Sequence, residues 1–191
     1  MTQWLLATLN KGKQEEIASY LKPLSISFKG AESLGFQVPP ETGKTFQENA
    51  LIKATFYENY THLPILADDS GLEIPALNGF PGVYTADYVK ACGSYDKVFD
   101  DLKHKLKNQI SEARFICVLA LLDINRKATF YRGELNGHLV FPPRGQKKFG
   151  FNPIFQPKGL TQTLAEMTVE ERLRLNHRGQ ALHKLIQDYK E

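Results

Sequence analysis

The chain has 191 residues, 42% of them hydrophobic and 24% charged, with a net charge of +3. That supports a single domain with a sizeable core, and the weak basic balance argues against a nucleic-acid-binding module. No apolar run approaches the ~18 residues of a membrane span, QWLLATL is too short for a signal peptide, and Cys92 and Cys117 make neither a disulfide framework nor a zinc site. A soluble cytoplasmic protein is expected, with neither nucleic acid nor membrane as partner.

QWLLATL, residues 3 to 9, predicts a short buried strand. NKGKQEEIASYL predicts a helix, with Ile17, Tyr20 and Leu21 at helical spacing, and SISFKG a second strand. This strand–helix–strand opening points to α/β architecture. AESLGFQVPPETGK predicts a loop. TFQENALIKATFYENY predicts a helix opened by a capping box between Thr45 and Glu48. PILADD predicts a buried strand ending on Asp68 and Asp69, and ALNGFPGVY a loop. SYDKVFDDLKHKLK reads as an amphipathic helix. ARFICVLALLD predicts a central strand, its β-branched and aromatic residues suiting a pleated surface, and KATFYRGELNGHLV its neighbour. RGQKKFGFNPIFQPKG predicts a long loop. Helices close the chain, with capping boxes at Thr163–Glu166 and Thr168–Glu171. No repeat or linker is visible, so residues 1–191 read as one domain whose two lobes are not separable by composition.

Five segments carry chemistry, each with a plain structural alternative. In TLNKGK, a helix start with Lys11 and Lys13 offers free N–H groups to an anion; the alternative is a turn with solvated lysines. In ETGKTFQENALIKA, Glu41 lies in the loop before the helix, Asn49 and Lys53 share a helix face, and Glu48 reads as structural. In LADDSGLEI, two adjacent strand side chains point opposite ways. One of Asp68 and Asp69 is therefore expected to satisfy backbone or cationic groups, and the other to face a crevice and hold a hard cation such as Mg²⁺; the alternative is an Asx turn. In FGFNPIF, exposed Phe149 and Phe151 would stack on a base, or the loop packs on its own aromatics. In LNHRGQAL, His177 and Arg178 enter the last helix as donors to a ring carbonyl, or Asn176 caps the helix.

In order, ATLNKGK, ETGKTFQENALIKA, ADDSGLEIPALNGFPGVYTADY, FGFNPIF, TLAEM and HRGQAL resemble the blocks of the inosine triphosphate pyrophosphatase family, the ITP/XTP diphosphatases. The resemblance runs over nearly the whole chain. It implies an α/β fold with an elongated central mixed sheet and two lobes flanking a deep substrate cleft. It also implies a homodimer and a Mg²⁺-dependent hydrolase that converts ITP, dITP and XTP to the monophosphate plus pyrophosphate. By position, Asp69 matches the family's metal-binding carboxylate and proton acceptor, Glu41 a second metal-binding acid, and Ser70 a substrate contact. Thr8, Asn10, Lys11, Gly12 and Lys13 match the substrate loop, and Lys53 a lysine near the phosphates. Phe149, Gly150, Phe151 and Asn152 match the base-binding segment, with Arg172, His177 and Arg178 following.

The chain departs from the family pattern at Leu9 (usually Gly), Lys148, Asn152 (usually Asp), Arg172 (usually Lys) and Asn176 (usually Ser). Arg172 keeps charge but not the point-like geometry of Lys. These changes bear on base and sugar rather than on the metal. Two other readings remain at this point: a pyrophosphatase for a different nucleotide, or a nucleotide binder without turnover. Retention of both Glu41 and Asp69 argues against the second.

Overall fold

The computed structural model describes residues 2–35, 39–146 and 150–190. Its strands are β1 (Gln3–Leu6), β2 (Ser27–Gly30), β3 (Ile65–Glu73), β4 (Ser111–Leu122), β5 (Ala128–Leu139) and β6 (Phe155–Pro157). Its α-helices are α1 (Lys11–Leu21), α2 (Phe46–Phe56), α3 (Thr85–Cys92), α4 (Tyr95–Lys105), α5 (Val169–Leu175) and α6 (His177–Lys190). The strands form one mixed sheet in the order β2-β1-β3-β4-β5-β6. β1 runs parallel to both β2 and β3, whereas β5 and β6 are antiparallel. The expected mixed α/β class holds.

The chain forms two compact units. The first comprises Met1–Ser70, Cys117–Gly133 and Arg178–Glu191; the second comprises Gly71–Ile116 and Glu134–His177. Each has its own core. In the first, Trp4 and Leu6 of β1 and Cys117, Leu119 and Leu121 of β4 present alternate residues to one face, as a strand must. Ile17 and Leu21 of α1, and Ala181, Leu182 and Leu185 of α6, meet them at helical spacing. Trp4 lies edge-on to Tyr189, with ring centroids 5.2 Å apart. In the second unit, Leu72 and Ile74 of β3 join Val98, Phe99 and Leu102 of α4, and Leu135 and Leu139 of β5. Phe151 and Phe155 fill the same core.

Helix α2 begins as its sequence dictates. Thr45 Oγ1 accepts from the Glu48 N–H at 3.1 Å, and the Glu48 carboxylate accepts from the Thr45 N–H at 3.2 Å. Its buried stripe is Phe46, Asn49, Ala50, Lys53 and Ala54. Two polar members in an otherwise apolar stripe is unusual, since buried amides and ammoniums need partners.

Four expectations differ from the structure. β3 does not stop at the carboxylates but continues through Asp68 and Asp69 to Glu73, which removes the Asx-turn alternative. Helix α3 lies within the stretch after ALNGFPGVY, where no helix is predicted. β6 occupies part of the loop predicted over 144–159. Of the two capping boxes near the end, Thr168–Glu171 opens α5, whereas the Glu166 carboxylate accepts the Thr163 N–H at 2.7 Å with no α-helix following it directly.

Trp4 is fully buried. Replacing it with Ala is expected to cost about 3–5 kcal/mol. The urea midpoint of the Trp4→Ala variant, followed by far-UV circular dichroism, checks this.

Candidate active site

β1 leads through Ala7, Thr8 and Leu9 to Asn10, the N-cap of α1. The Asn10 side chain accepts the Lys13 N–H at 3.1 Å, and the Thr8 hydroxyl accepts the Asn10 N–H at 3.2 Å. Gln14 steadies this turn by donating to the Thr8 carbonyl at 2.7 Å and to Glu32 at 2.8 Å. The first turn of α1 carries no acidic residue, but it carries Lys11 and Lys13. A helix N-terminus is electropositive and favours acids, so two lysines there are unfavourable unless an anion is to be received.

On β3, Asp68 and Asp69 face opposite ways, as adjacent strand residues should, and each is almost wholly buried. Asp68 Oδ2 accepts from Lys13 Nζ at 2.9 Å and from the Nε and one terminal nitrogen of Arg178, both at 3.3 Å. The Arg178 guanidinium also donates to Glu16 at 2.6 Å and to the Ser70 hydroxyl at 3.1 Å. Ser70 stands two residues from Asp68 on the same face. On the other face, Asp69 Oδ1 accepts from Lys53 Nζ at 2.9 Å, and the same ammonium donates to Glu41 at 3.0 Å. Of the pair, one was expected to satisfy backbone or cationic groups: Asp68 does so with Lys13 and Arg178, and Asp69 also meets a cation, Lys53.

The two carboxyls consequently differ. Burial raises the pKa of Asp68, but Lys13, Arg178 and Lys53 together outweigh burial and hold it well below the usual carboxylate range. For Asp69, burial dominates. Lys53 pulls the pKa back and Glu41 pushes it up again, so the group is raised to about 6. Burial opposes the charge on Lys53, yet Asp69, Asp68 and Glu41 raise its pKa above the ordinary lysine value. Arg178 likewise stays charged, burial being offset first by Asp68.

The loop carrying Glu41 is fixed by a close approach. The Gly43 N–H donates to Asn49 Oδ1 at 2.7 Å, and a Cβ at Gly43 would lie 2.6 Å from that oxygen. The Asn49 amide also bears on Asp69, lowering its pKa. A pocket of about 250 Å³ is lined by Ala7, Thr8, Leu9, Asn10, Lys13, Glu41, Lys53 and Asp68.

Asp68 Oδ1 and Asp69 Oδ2 are buried without a hydrogen-bond partner. Such atoms are costly in a native protein and call for an ion, a water or a proton. Among the described residues, no group of three or more His, Cys, Asp and Glu is arranged to hold a metal. An all-protein metal cage is therefore not built here. A hard cation that takes one or two carboxylates and draws its other oxygens from phosphate and water fits the residues present.

Of the residues expected from sequence, Thr8, Asn10, Lys13, Glu41 and Lys53 come together at the pocket, with Asp69 and Ser70 bonded to its neighbours. Lys11 and Gly12 are exposed on the first turn of α1. Phe149 and Lys148 lie outside the described residues. Gly150, Phe151, Asn152, Arg172 and His177 belong to the second unit. The expectation of an exposed Phe151 is corrected: its ring is 5% exposed and meets Tyr95 edge-on at 5.5 Å. Phe151 and Phe155 pack inward because burial gains more than exposure for a large apolar ring. His177 stacks on Phe115 with centroids 5.2 Å apart. Arg178, expected to be a donor to a base, instead has its guanidinium bonded to Asp68, Glu16 and Ser70.

Glu16, Gly43 and Asn49 were not singled out as site residues. Only Asn49 carried a sequence signal, its spacing from Lys53.

Two outcomes follow from these charges. Asp68→Asn leaves Lys13 and part of Arg178 without their anion and should cost about 3 kcal/mol, visible in the urea midpoint near neutral pH. For the wild type, the depressed pKa of Asp68 adds stability above about pH 4, lost on further acidification. The raised pKa of Asp69 acts the other way. Its proton is held more tightly in the folded state, so stability falls as pH rises from about 4 to about 6. Asp69→Asn should abolish that decline, read as the difference between wild-type and variant urea midpoints across the window.

The Ham1 family profile matches residues 4–188. The dITP/XTP pyrophosphatase of Bartonella henselae is 42% identical over 177 residues, covering 88% of this chain and 82% of that protein. The Thermus thermophilus protein of the same name is 40% identical over 190 residues, covering 98% and 91%. A solved structure of a HAM1 protein from Coxiella burnetii superposes with a TM-score of 0.92 at 35% identity, covering 100% of this chain and 99% of that one. The Staphylococcus aureus Ham1 protein gives a TM-score of 0.89 at 30% identity, with 100% of both chains covered. With its two-carboxylate site, its lysine-bearing helix start and this extent of likeness, the chain belongs to the Ham1 family.

Proposed function

We propose that this protein is a dITP/XTP pyrophosphatase that also accepts ITP, hydrolysing each to the monophosphate and pyrophosphate. The observation that carries the reading is the separation of charge on β3: Asp68 meets two cations, Lys13 and Arg178, and its pKa is held low, whereas Asp69 shares the single ammonium of Lys53 with Glu41 and its pKa is raised. One carboxylate then organises the site, and the other is poised to react.

Mg²⁺, held by Glu41 and Asp69, would neutralise phosphoryl oxygens and lower the pKa of a bound water. Asp69 accepts a proton from the attacking water. A bond forms from that water oxygen to the α-phosphorus, and the bond to the α–β bridging oxygen breaks. Lys13, Lys53 and the first-turn N–H groups of α1 receive the charge developing on the phosphates. Thr8 and Asn10 orient the triphosphate beside them. By resemblance to the family pattern, Asn152, Arg172 and His177 match positions that bear on base and sugar. Asn152 and Arg172, both departures from the usual pattern, favour one second reading, a different nucleobase handled by the same phosphate chemistry.

Pyrophosphate release from ITP, dITP, XTP, ATP, GTP, CTP and UTP, each with and without Mg²⁺, tests this. Turnover of the first three with Mg²⁺ and little of the rest is expected; turnover of another nucleotide alone supports the second reading. Asp69→Asn should lose about 10³-fold in rate. Near-wild-type release by that variant removes Asp69 from the chemistry.

A further inference from the structure

Lys53 occupies an unusual place for a phosphate-binding lysine. Its side chain is 6% exposed and its ammonium lies between the two carboxylates assigned above to the metal, 3.0 Å from Glu41 and 2.9 Å from Asp69. Lys13 and Arg178 are committed to Asp68 on the opposite face. Among the described residues, the ion pairs of both Glu41 and Asp69 go to Lys53. One positive charge is thus already seated where a divalent cation must draw its protein ligands.

We propose that Lys53 is the internal counter-ion of the Glu41–Asp69 pair in the free protein, and that a triphosphate must draw its ammonium away before a divalent cation binds there tightly. The inference rests on the metal and triphosphate reading above. Three features support it. Asp69 is held apart from any movement of Lys53 by its place within β3, and the loop backbone two residues beyond Glu41 by the Gly43–Asn49 hydrogen bond at 2.7 Å. Lysine is a flexible point charge with three donors, able to swing between anions. Lys53 and Glu41 line the same pocket as Thr8, Asn10 and Lys13, so phosphate oxygens received at the start of α1 lie on the path of that swing. Metal and nucleotide would therefore bind cooperatively: the metal adds two charges to a site the triphosphate has relieved of one.

The test uses Mn²⁺ as the probe, its free concentration read by electron paramagnetic resonance, on the full chain without nucleotide at about pH 8. Wild type should bind Mn²⁺ weakly. Lys53→Met should bind it at least about tenfold tighter, a modest demand for removing a unit charge a few ångströms from a divalent ion. Lys53→Arg, which keeps the charge, should stay as weak as wild type. Adding Glu41→Gln to Lys53→Met should cancel the gain. If Lys53→Met does not fold by circular dichroism, Lys53→Gln takes its place. A folded, neutral variant that binds Mn²⁺ no tighter than wild type overturns the proposal. So does wild type that binds Mn²⁺ equally well with and without a non-hydrolysable triphosphate. Pyrophosphate release by wild type is scored separately: its absence would refute the enzymatic reading, whereas intact release with unchanged Mn²⁺ affinity in the variant would refute the counter-ion alone.

Discussion

Two carboxylates buried side by side on one strand cannot share a partner, because the pleat sends them to opposite faces. Each needs its own cation from a different direction, or it must take up a proton. This constraint on Asp68 and Asp69 explains much of the arrangement of the first unit. α1 contributes Lys13 and α6 contributes Arg178 to one face, while α2 contributes Lys53 to the other. It also explains why α2 places Asn49 and Lys53 in a stripe that is otherwise apolar, and why α6 begins with His177 and Arg178 at the end of a helix that disfavours cations.

The two faces are not balanced alike. On the Asp68 side, two cations, Lys13 and Arg178, meet two acids, Asp68 and Glu16, and Ser70 accepts from the guanidinium as well. Charges balanced in this way fix geometry rather than reacting. On the Asp69 side, two carboxylates share one ammonium. Stability is given up there, and groups kept in such a condition are where chemistry is expected. The two strand carboxylates differ in counter-charge, and it is Asp68, the one that meets two cations, that lines the pocket.

Much of the fold was legible because the signals were local. The Thr45–Glu48 box, the apolar run of β4 and the alternation in β5 each encode an element within a dozen residues. The failures were non-local. Asp68 and Asp69 looked like the end of a strand because their cations come from residues far away in the chain; the Arg178 contact spans 110 positions. Helix α3 is only 8 residues long, with none of them buried, and so lacked a strong periodic stripe. Phe151 beside a glycine could read as a platform or as core, and only tertiary packing decides between them. At the site, residue types and family blocks pointed to Glu41, Lys53 and Asp69. Glu16 and Gly43 were invisible because their importance lies in whom they touch.

Arg178 opens the segment that returns to the first unit after the whole second unit has been made. A ribosome elongating at roughly 5–20 residues per second needs about ten seconds to travel from Asp68 to its guanidinium partner. Throughout that interval Asp68 lacks its guanidinium, so the charge balance around β3 is completed only when the last helix has been made.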